Sequence, residues 1–345
     1  MTGLGKGGAE SGDNSMSEAV HHDHQDSSQA LAGRTAIVSG GARGIGLAIV
    51  TDLLAHGANV VIVDSGGTIG GEPEAPGLAL EVAAGLPRTA GLAGDIAEGT
   101  VAADAVRLAV ERFGSVDIVV NNAAIIRDGF VFKANLEAWD AVIRTNLNGA
   151  FRLVAAAAPV MRDHVKAGRE PGAILNLVST AAIYGNFGQA AYAAAKGGLI
   201  ALTRVSAHDL ARSGITCNAV IPFGATRVTE SIQPANEAQA AYKARALEVS
   251  PLYVARLATW LASSAARHVT GQLVGARGRE MFLFSQARPV MKQLVQAAEL
   301  EAKVEGIEQL LVFGNGPQME DYIERLGYKK LSLSVWEKRL ACPQH

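Results

Sequence analysis

The chain has 345 residues, of which 49% are hydrophobic and 19% charged, and this balance excludes global disorder. Its 31 Lys and Arg nearly match its 33 Asp and Glu, so the net charge of −2 offers no basic surface for nucleic acid or an anionic membrane. We expect a soluble protein that binds a small neutral or anionic molecule, built either as one large domain with appendages or as two domains.

Residues 1–32 are rich in Gly, Ser, Asp and His and lack apolar periodicity, which predicts a disordered leader. His21, His22 and His24 lie within it without a Cys-based scaffold, so no metal site is predicted. No apolar signal core is present near the N-terminus, and the longest apolar run, 153–161, is shorter than the roughly 18 residues of a membrane span. These features predict a cytoplasmic protein with no membrane partner.

From residue 34 onward, short apolar runs alternate with longer segments of helical period. Strands are predicted at 35–39, 59–64, 117–121, 173–179, 215–221 and 272–276, and helices near 44–56, 98–113, 135–163 and 190–212. Trp139 and Trp260 fall in amphipathic patterns and are predicted to pack in the core. The alternation predicts an α/β fold over residues 33–288, a doubly wound parallel sheet of the Rossmann type with about seven strands.

Residues 289–345 follow after the pattern of this fold is complete. They predict a helix ending at Glu305, a strand at 309–313, a second helix at 319–326 and a second strand at 331–336. We interpret them as a short α/β tail of unknown role, too small for a large core of its own.

The strongest local motif is the glycine-rich turn at 39–46 (SGGARGIG), which follows the first strand and opens the first helix. The free N–H groups and the dipole of a helix N-terminus suit a pyrophosphate, so the turn predicts dinucleotide binding through Gly40, Arg43, Gly44, Ile45 and Gly46. Asp64 ends the second strand, where it can accept hydrogen bonds from an adenosine ribose. Its carboxylate would repel a 2′-phosphate, which favours NAD over NADP, although Arg43 could offset that repulsion.

Tyr192 and Lys196 are four residues apart on a predicted helix and therefore share one face. A phenol is a poor base at neutral pH, and a nearby ammonium group favours its phenolate. Ser179 ends the predicted strand at 173–179, at the sheet edge where ligands of open α/β sheets bind, and its hydroxyl could donate to a substrate oxygen.

Taken together, these motifs resemble the short-chain dehydrogenase/reductase family over about residues 33–280. The shared positions are the glycine turn, Asp95, Asn121, Asn122, Ala123, Asn146, Ser179, Tyr192, Lys196 and 270–272 (TGQ). The resemblance implies that Tyr192 is the acid/base, that Lys196 holds the nicotinamide ribose and lowers the pKa of Tyr192, and that Ser179 orients the reacting oxygen. It further implies a water relay at Asn146, cofactor contacts at Asp95, Ile96, Asn121, Ala123 and Pro222, and a homodimer or homotetramer.

Within the family, the chain is most similar to the 3-hydroxyacyl-CoA dehydrogenase module of the multifunctional β-oxidation enzyme. The shared features are the Gly-rich loop after Asp64 and the segments 125–128 (IIRD), 183–189 (IYGNFGQ) and 227–229 (RVT). Ala124 and Phe223 stand where glycine is usual, and the segment 222–229 is one residue shorter than in most members.

The resemblance predicts an NAD-dependent oxidoreductase that interconverts a secondary alcohol and a ketone. A 3-hydroxyacyl-CoA is one candidate substrate, with Arg127, Lys133 and Arg227 as candidate cations for its phosphates. A steroid or other cyclic alcohol is another, because Phe223 could wall an apolar pocket. A third hypothesis, of a different class, is a non-catalytic dinucleotide-binding scaffold.

Overall fold

The computed structural model describes residues 29–225, 234, 236–278 and 280–284, together with three strands at 309–313, 329–332 and 335–339. The predicted leader lies outside the described residues up to residue 28. Its last four residues form a turn in which Leu31 is fully buried and its N–H donates to the carbonyl of His56 at 2.9 Å. The predicted boundary at 32 is therefore too late, because Leu31 already belongs to the core.

A sheet of eight strands organises the chain, in the order β3-β2-β1-β4-β5-β6-β7-β8. The strands are β1 Thr35–Ser39, β2 Asn59–Asp64, β3 Thr89–Ala93, β4 Ile118–Asn121, β5 Ala173–Leu177, β6 Thr216–Pro222, β7 Leu273–Arg277 and β8 Glu280–Leu283. All pair in parallel except β8, which pairs antiparallel to β7 at one edge. The predicted doubly wound parallel sheet is confirmed, with one strand more than expected.

Nine α-helices lie among the described residues. They are α1 Gly44–Ala55, α2 Leu78–Ala84, α3 Val101–Phe113, α4 Leu136–Ile143, α5 Gly149–Lys166, α6 Ala181–Tyr184, α7 Ala190–Leu210, α8 Glu237–Leu247 and α9 Leu252–Ala262. Buried side chains of α1 and α9 pack on one face of the sheet, and those of α3, α5 and α7 on the other. Strands covered on both faces explain the nearly continuous apolar runs in the sequence. No helix in this part of the chain is both long and apolar enough to cross a bilayer.

Two local predictions in the helices are corrected. The single helix predicted at 135–163 is two helices, α4 and α5, joined by a π-helical turn over Arg144–Asn148. Trp139 on α4 and Trp260 on α9 are each 39% exposed, so neither is the core anchor that was predicted. Small side chains such as Ala255 and Ala258 fill the buried face of α9 instead.

The tail residues that the structure describes form a second sheet, three antiparallel strands in the order β10-β11-β9. These are β9 Gln309–Phe313, β10 Lys329–Ser332 and β11 Val335–Arg339. The strand predicted at 331–336 is the end of β10 and the start of β11, and the predicted helices lie outside the described residues. The chain divides into two compact units, Met1–Phe284 and Ser285–His345, close to the predicted boundary at 288.

Candidate active site

A cavity of about 1320 Å³ opens beyond the carboxyl ends of the parallel strands. This edge is where open α/β sheets bind their ligands. The cavity brings together most residues that the sequence predicted for cofactor binding and catalysis: Gly40, Arg43, Gly44, Ile45, Gly46, Asp64, Asp95, Ile96, Ala123, Ser179, Tyr192, Lys196 and Pro222.

The glycine turn between β1 and α1 forms one end of this cavity. Gly40 has a φ of +63°, and a Cβ atom there would lie 2.8 Å from the Cα of Ala123. At Gly46 a Cβ would lie 2.0 Å from the carbonyl oxygen of Gly40, so the helix can start this close to the turn only with glycine. At Gly44, with a φ of +54°, a Cβ would meet no atom within 4 Å. This open space at the N-terminus of α1 fits a pyrophosphate.

Asn122 and Ser39 hold the turn against the end of β4. The Nδ2 atom of Asn122 donates to the carbonyl oxygens of Ser39 and Gly40, at 3.2 and 2.8 Å. The Ser39 hydroxyl oxygen accepts from the backbone N–H groups of Asn122 and Ala123, at 3.1 and 3.2 Å. Asn122 belongs to the family motif at 121–123, but no signal in the sequence distinguishes its role from that of Asn121.

Asn121 is a corrected prediction. Its side chain is buried beneath the cavity, where Nδ2 donates to Oδ1 of Asn176 on β5 at 2.8 Å. Successive side chains of a strand point to opposite faces, and Asn121 takes the core side. Asn121 therefore does not line the cavity, and it ties β4 to β5.

Asp64 lies between the glycine turn and the loop that follows β2. One carboxylate oxygen accepts from the N–H of Ala42 at 3.1 Å, and the other from the N–H of Gly66 at 2.8 Å. Beside it, Arg43 donates to Glu74 at 2.6 Å and to the carbonyl of Gly67 at 2.7 Å. The carboxylate is thus held at the place where the sequence predicts the adenosine ribose.

Asp95 and Ile96 form the neighbouring wall, after β3. The Oδ1 atom of Asp95 accepts from the N–H of Ala97 at 2.9 Å, and Oδ2 lies 3.5 Å from Nη1 of Arg144. Ile96 is buried in the apolar core on the face of the sheet that is covered by α3, α5 and α7. A polar rim over an apolar floor suits an adenine ring.

Ser179, Tyr192 and Lys196 meet at the other end of the cavity. The Ser179 side chain lies close enough to the phenol of Tyr192 to lower its pKa. Lys196, on the same face of α7, is buried, and its Nζ atom donates to the carbonyl of Leu177 at 2.7 Å. The three groups predicted to act together are therefore in one place.

The pKa of Tyr192 is shifted in the direction opposite to the one predicted. Burial raises this pKa, the Ser179 side chain lowers it, and the carboxylate of Asp128 raises it, with a net upward shift. Burial also lowers the pKa of Lys196 to about 8, which weakens its charge as a source of phenolate stabilisation. In this structure Tyr192 is consequently a neutral phenol suited to donate a proton.

Asn146 lies in the π-helical turn between α4 and α5, a distortion often found at functional sites. Its side chain makes two hydrogen bonds to Ile125, accepting from the N–H at 2.8 Å and donating to the carbonyl at 2.9 Å. Both polar atoms of the side chain thus position the segment after β4, which lines the cavity. The predicted water relay at Asn146 stays a prediction.

Asp128 and Gln189 form a pair at the cavity wall that sequence reasoning missed. Nε2 of Gln189 donates to Oδ2 of Asp128 at 3.1 Å, and the N–H of Gly129 donates to the carbonyl of Gly188 at 2.7 Å. Both residues belong to segments quoted for the family resemblance, but nothing in their spacing showed that these segments touch. The pair joins the two chain segments that flank Tyr192.

Arg245 on α8 and Arg277 at the end of β7 also line the cavity, near Pro222 and Phe223. Arg277 pairs with Glu280 at 2.8 Å and lies 5.4 Å from the ring centroid of Phe282. No sequence signal distinguished these arginines, because neither belongs to a recognised motif. Of the cations expected near a phosphate, Arg127 binds the carbonyl of Gly70 at 2.7 Å, and Arg227 lies outside the described residues.

The site therefore combines a dinucleotide-shaped groove with a hydroxyl pair and a buried lysine. Such a set can bind a cofactor, orient a carbonyl or hydroxyl group and transfer a proton. Among the residues that the structure describes, no cluster of His, Cys, Asp or Glu is suited to hold a metal ion.

Comparison with known proteins places these features in context. Residues 34–240 match the family model of the short chain dehydrogenases. A 3-oxoacyl-[acyl-carrier-protein] reductase, FabG, of Staphylococcus epidermidis is 34% identical over 253 residues, which cover 71% of this chain and 98% of that protein. The hydroxyacyl-CoA dehydrogenase ChsB1 of Mycobacterium tuberculosis is 36% identical over 258 residues, covering 74% of this chain and 80% of that protein.

Two further similarities extend the comparison. The peroxisomal multifunctional enzyme type 2 of Mus musculus is 35% identical over 230 residues, which cover 66% of this chain and 30% of that much longer protein. A crystal structure of a short chain dehydrogenase from Mycobacterium avium superposes with a TM-score of 0.63 at 32% identity, covering 79% of this chain and 96% of that one.

Proposed function

The chain belongs to the short-chain dehydrogenase family, and on that premise we propose that it is an NAD-dependent dehydrogenase of 3-hydroxyacyl thioesters. The predicted family and its similarity to hydroxyacyl-CoA dehydrogenases are confirmed by these relatives. The chain is an oxidoreductase, and the non-catalytic scaffold is not favoured. The observation that carries the proposal is the meeting of Ser179, Tyr192 and Lys196 at one end of a groove whose other end holds the glycine turn and Asp64.

The chemistry follows from the positions of these side chains. When bound, a nicotinamide dinucleotide supplies hydride transfer at the carbinol carbon. In the oxidation, the C–H bond breaks with its electron pair, the hydroxyl proton goes to Oη of Tyr192, and a C=O bond forms. In the reduction, the neutral phenol returns that proton to the carbonyl oxygen, while the Ser179 hydroxyl donates a hydrogen bond to the same oxygen. Lys196 would hold the nicotinamide ribose from the buried side of α7.

NAD is proposed over NADP because of Asp64. The carboxylate is fixed by the N–H groups of Ala42 and Gly66, so it cannot swing away from a 2′-phosphate. Like charges at a few ångströms are costly. The competing cation, Arg43, already has two acceptors in the loop after β2.

A thioester is proposed as substrate because of the name of one relative and the cations that line the cavity. ChsB1, which matches this chain over 258 residues, is named for hydroxyacyl-CoA. Arg245 and Arg277 line the cavity on the substrate side, where the phosphates of coenzyme A need cationic partners. Arg245 supports the thioester better than Arg127, which is held by Gly70 and Glu72, and better than Arg277, which is paired with Glu280.

A cyclic or steroid alcohol is the second candidate substrate. Phe187 and Phe223 line the cavity near the catalytic groups, and Phe187 is almost fully exposed. Two aromatic side chains could cover an apolar ring system. A panel of 3-oxoacyl-CoA esters and cyclic ketones, each mixed with NADH or NADPH and followed by nicotinamide absorbance, tests both substrate and cofactor. Lack of turnover across all thioesters would contradict the proposal.

A homodimer or homotetramer in the cytoplasm is part of the same proposal. Phe151 on α5 and Val205 on α7 are large apolar side chains that are each 56% exposed. Burial of such side chains against a second copy would remove apolar surface from water. Light scattering that gives a monomer mass at micromolar concentration would contradict the oligomer, and cell fractionation tests the location.

A further inference from the structure

We propose that Glu74 is a cofactor-specificity residue, which acts by occupying Arg43 and so denying that cation to the 2′-phosphate of NADP. This inference rests on the proposed preference for NAD, and it adds a second determinant to Asp64. Glu74 belongs to the loop 65–77 between β2 and α2, which the sequence marked only as rich in Gly and Pro.

Both terminal nitrogen atoms of the Arg43 guanidinium group have acceptors in this loop. Its Nη1 atom donates to Oε2 of Glu74 at 2.6 Å, and its Nη2 atom donates to the carbonyl of Gly67 at 2.7 Å. Short hydrogen bonds between charged groups are stronger than neutral ones. A phosphate that approached Arg43 would have to displace a carboxylate and a carbonyl that are already in place.

Arg43 stands beside the position where a 2′-phosphate would lie. The residue before it, Ala42, donates its N–H to Asp64, and Gly66, next to Gly67, donates to the other oxygen of the same carboxylate. Arg43, Asp64 and Gly67 all line the same end of the cavity. A phosphate on a ribose bound by Asp64 would meet that carboxylate together with a second one, on Glu74, instead of an uncompensated cation.

The loop holds Glu74 in place by closing on itself. Gly67 pairs with Pro73 in an antiparallel bridge, and the N–H of Ala75 donates to the carbonyl of Gly66 at 2.8 Å. A Cβ atom at Gly66, which has a φ of +66°, would lie 1.7 Å from the carbonyl oxygen of Ala75, so this closure requires glycine. Glu74 lies inside the closed segment, one residue before Ala75.

The far side of the loop is anchored to the segment after β4. The N–H of Ile126 donates to the carbonyl of Ile69 at 2.8 Å, and Nε of Arg127 donates to the carbonyl of Gly70 at 2.7 Å. These contacts fix the loop at both ends of its span. The backbone that carries Glu74 is therefore preorganised, and it presents the carboxylate to Arg43 from a fixed position.

The test is a substitution that removes the charge of Glu74 and keeps its shape, Glu74→Gln. Binding of 2′,5′-ADP and of 5′-ADP to the full chain is measured by calorimetry, together with kcat/KM for NADP and NAD. We expect about five- to tenfold tighter binding of 2′,5′-ADP, with 5′-ADP changed less than about twofold. Glu72→Gln is the matched control, since Glu72 lies on the same loop but contacts Thr68 and Arg127. Glu72→Gln should change the binding of neither 2′,5′-ADP nor 5′-ADP.

Introducing Arg43→Ala into the wild type and into Glu74→Gln tests whether the gain in affinity depends on Arg43. In the wild type, Arg43→Ala should change 2′,5′-ADP binding little, whereas in Glu74→Gln it should abolish the gain. An unchanged ratio of the two dissociation constants in Glu74→Gln, or a gain that survives Arg43→Ala, would overturn the role of Glu74. A wild type that prefers NADP would instead contradict the proposed NAD preference, and the coupling between positions 43 and 74 would still be measured.

Discussion

The Nζ atom of Lys196 lies 5.7 Å from the centroid of the Tyr192 ring, and it donates its hydrogen bond to the carbonyl of Leu177. The ammonium group is therefore near the phenol without being bonded to it. Burial lowers the pKa of Lys196 to about 8 and contributes to the raised pKa of Tyr192. Folding thus places two polar groups of the site in an environment that disfavours their charged forms, and this has consequences for stability as well as catalysis.

Lys196→Met should reveal the cost of burying the lysine. Between pH 8 and its ordinary pKa of 10.5, the unfolded chain binds more protons at Lys196 than the folded chain does, so wild-type stability rises with pH across this window. The variant lacks this term. Its free energy of unfolding relative to the wild type should therefore fall by up to about 1.4 kcal/mol for each pH unit. Denaturant unfolding of both proteins measures it, and Lys166→Met, on the exposed side of α5, should show no such trend.

Tyr192→Phe should lower kcat by about a thousandfold or more, because the proton transfer loses its donor and acceptor. Binding of NADH should change little, since the phenol is not expected to carry the affinity for the cofactor. Tyr184→Phe makes the same chemical change at an exposed position on the same cavity, and it should retain most of the activity. If the Tyr192 variant keeps more than about a tenth of the wild-type activity, Tyr192 is not the acid/base.

Asp128→Asn should move the pH profile of alcohol oxidation. Oxidation needs the phenolate of Tyr192. Burial is the main cause that raises the pKa of this phenol, and the negative charge of Asp128 raises it further. Removing the carboxylate charge should therefore shift the rising limb of kcat/KM to lower pH. Asp140→Asn, on the exposed surface of α4, should leave the profile in place. A limb that does not move in Asp128→Asn would show that this carboxylate does not act on Tyr192.

Asp117→Asn should destabilise the fold by about 2–4 kcal/mol, because it removes a buried carboxylate charge and weakens the hydrogen bonds that this carboxylate accepts. Burial would raise the pKa of Asp117, but hydrogen bonds from Arg169, Ser115 and the N–H of Thr35 outweigh it and hold the pKa below 3.8. The stabilisation by the Asp117 carboxylate is present above the unfolded pKa of 3.8 and is lost as the pH falls through the lower pKa of the folded state. The free energies of unfolding of wild type and variant should therefore converge in acid. Asp163→Asn, which removes the charge from an exposed pair with Lys166, should leave the stability close to that of the wild type.

The parts of the fold that are determined by residues close together in the sequence could be predicted from it. The glycine turn, Asp64 and the buried strands each have a local signal, and β1 and β2 have the predicted bounds. The edge strand β3 was missed because its sequence, TAGLA, is only half-buried and has no apolar run. β8 was missed because it lies at the antiparallel edge, where its side chains are largely exposed.

The remaining features depend on contacts between distant segments, which no local pattern reports. The side chain of Asn121 turns to the core because Asn176 lies opposite it, and the pair of Arg43 with Glu74 requires a loop to close over 31 residues of chain. The π-helical turn at Asn146 lies inside a continuous helical pattern. Burial raises the pKa of Tyr192, whereas a lowering by Lys196 was expected, because the sequence shows the nearby lysine but not the burial of the phenol.

The central claim is that this oxidoreductase acts on a 3-hydroxyacyl thioester with NAD. The most direct measurement mixes the protein with NAD and either a 3-hydroxyacyl-CoA or a cyclic secondary alcohol that carries no phosphate, and follows the formation of NADH. We predict a kcat/KM for the CoA ester at least about tenfold above that for the cyclic alcohol, equivalent to about 1.4 kcal/mol of added transition-state stabilisation. An inert CoA ester beside a reactive cyclic alcohol would contradict the account.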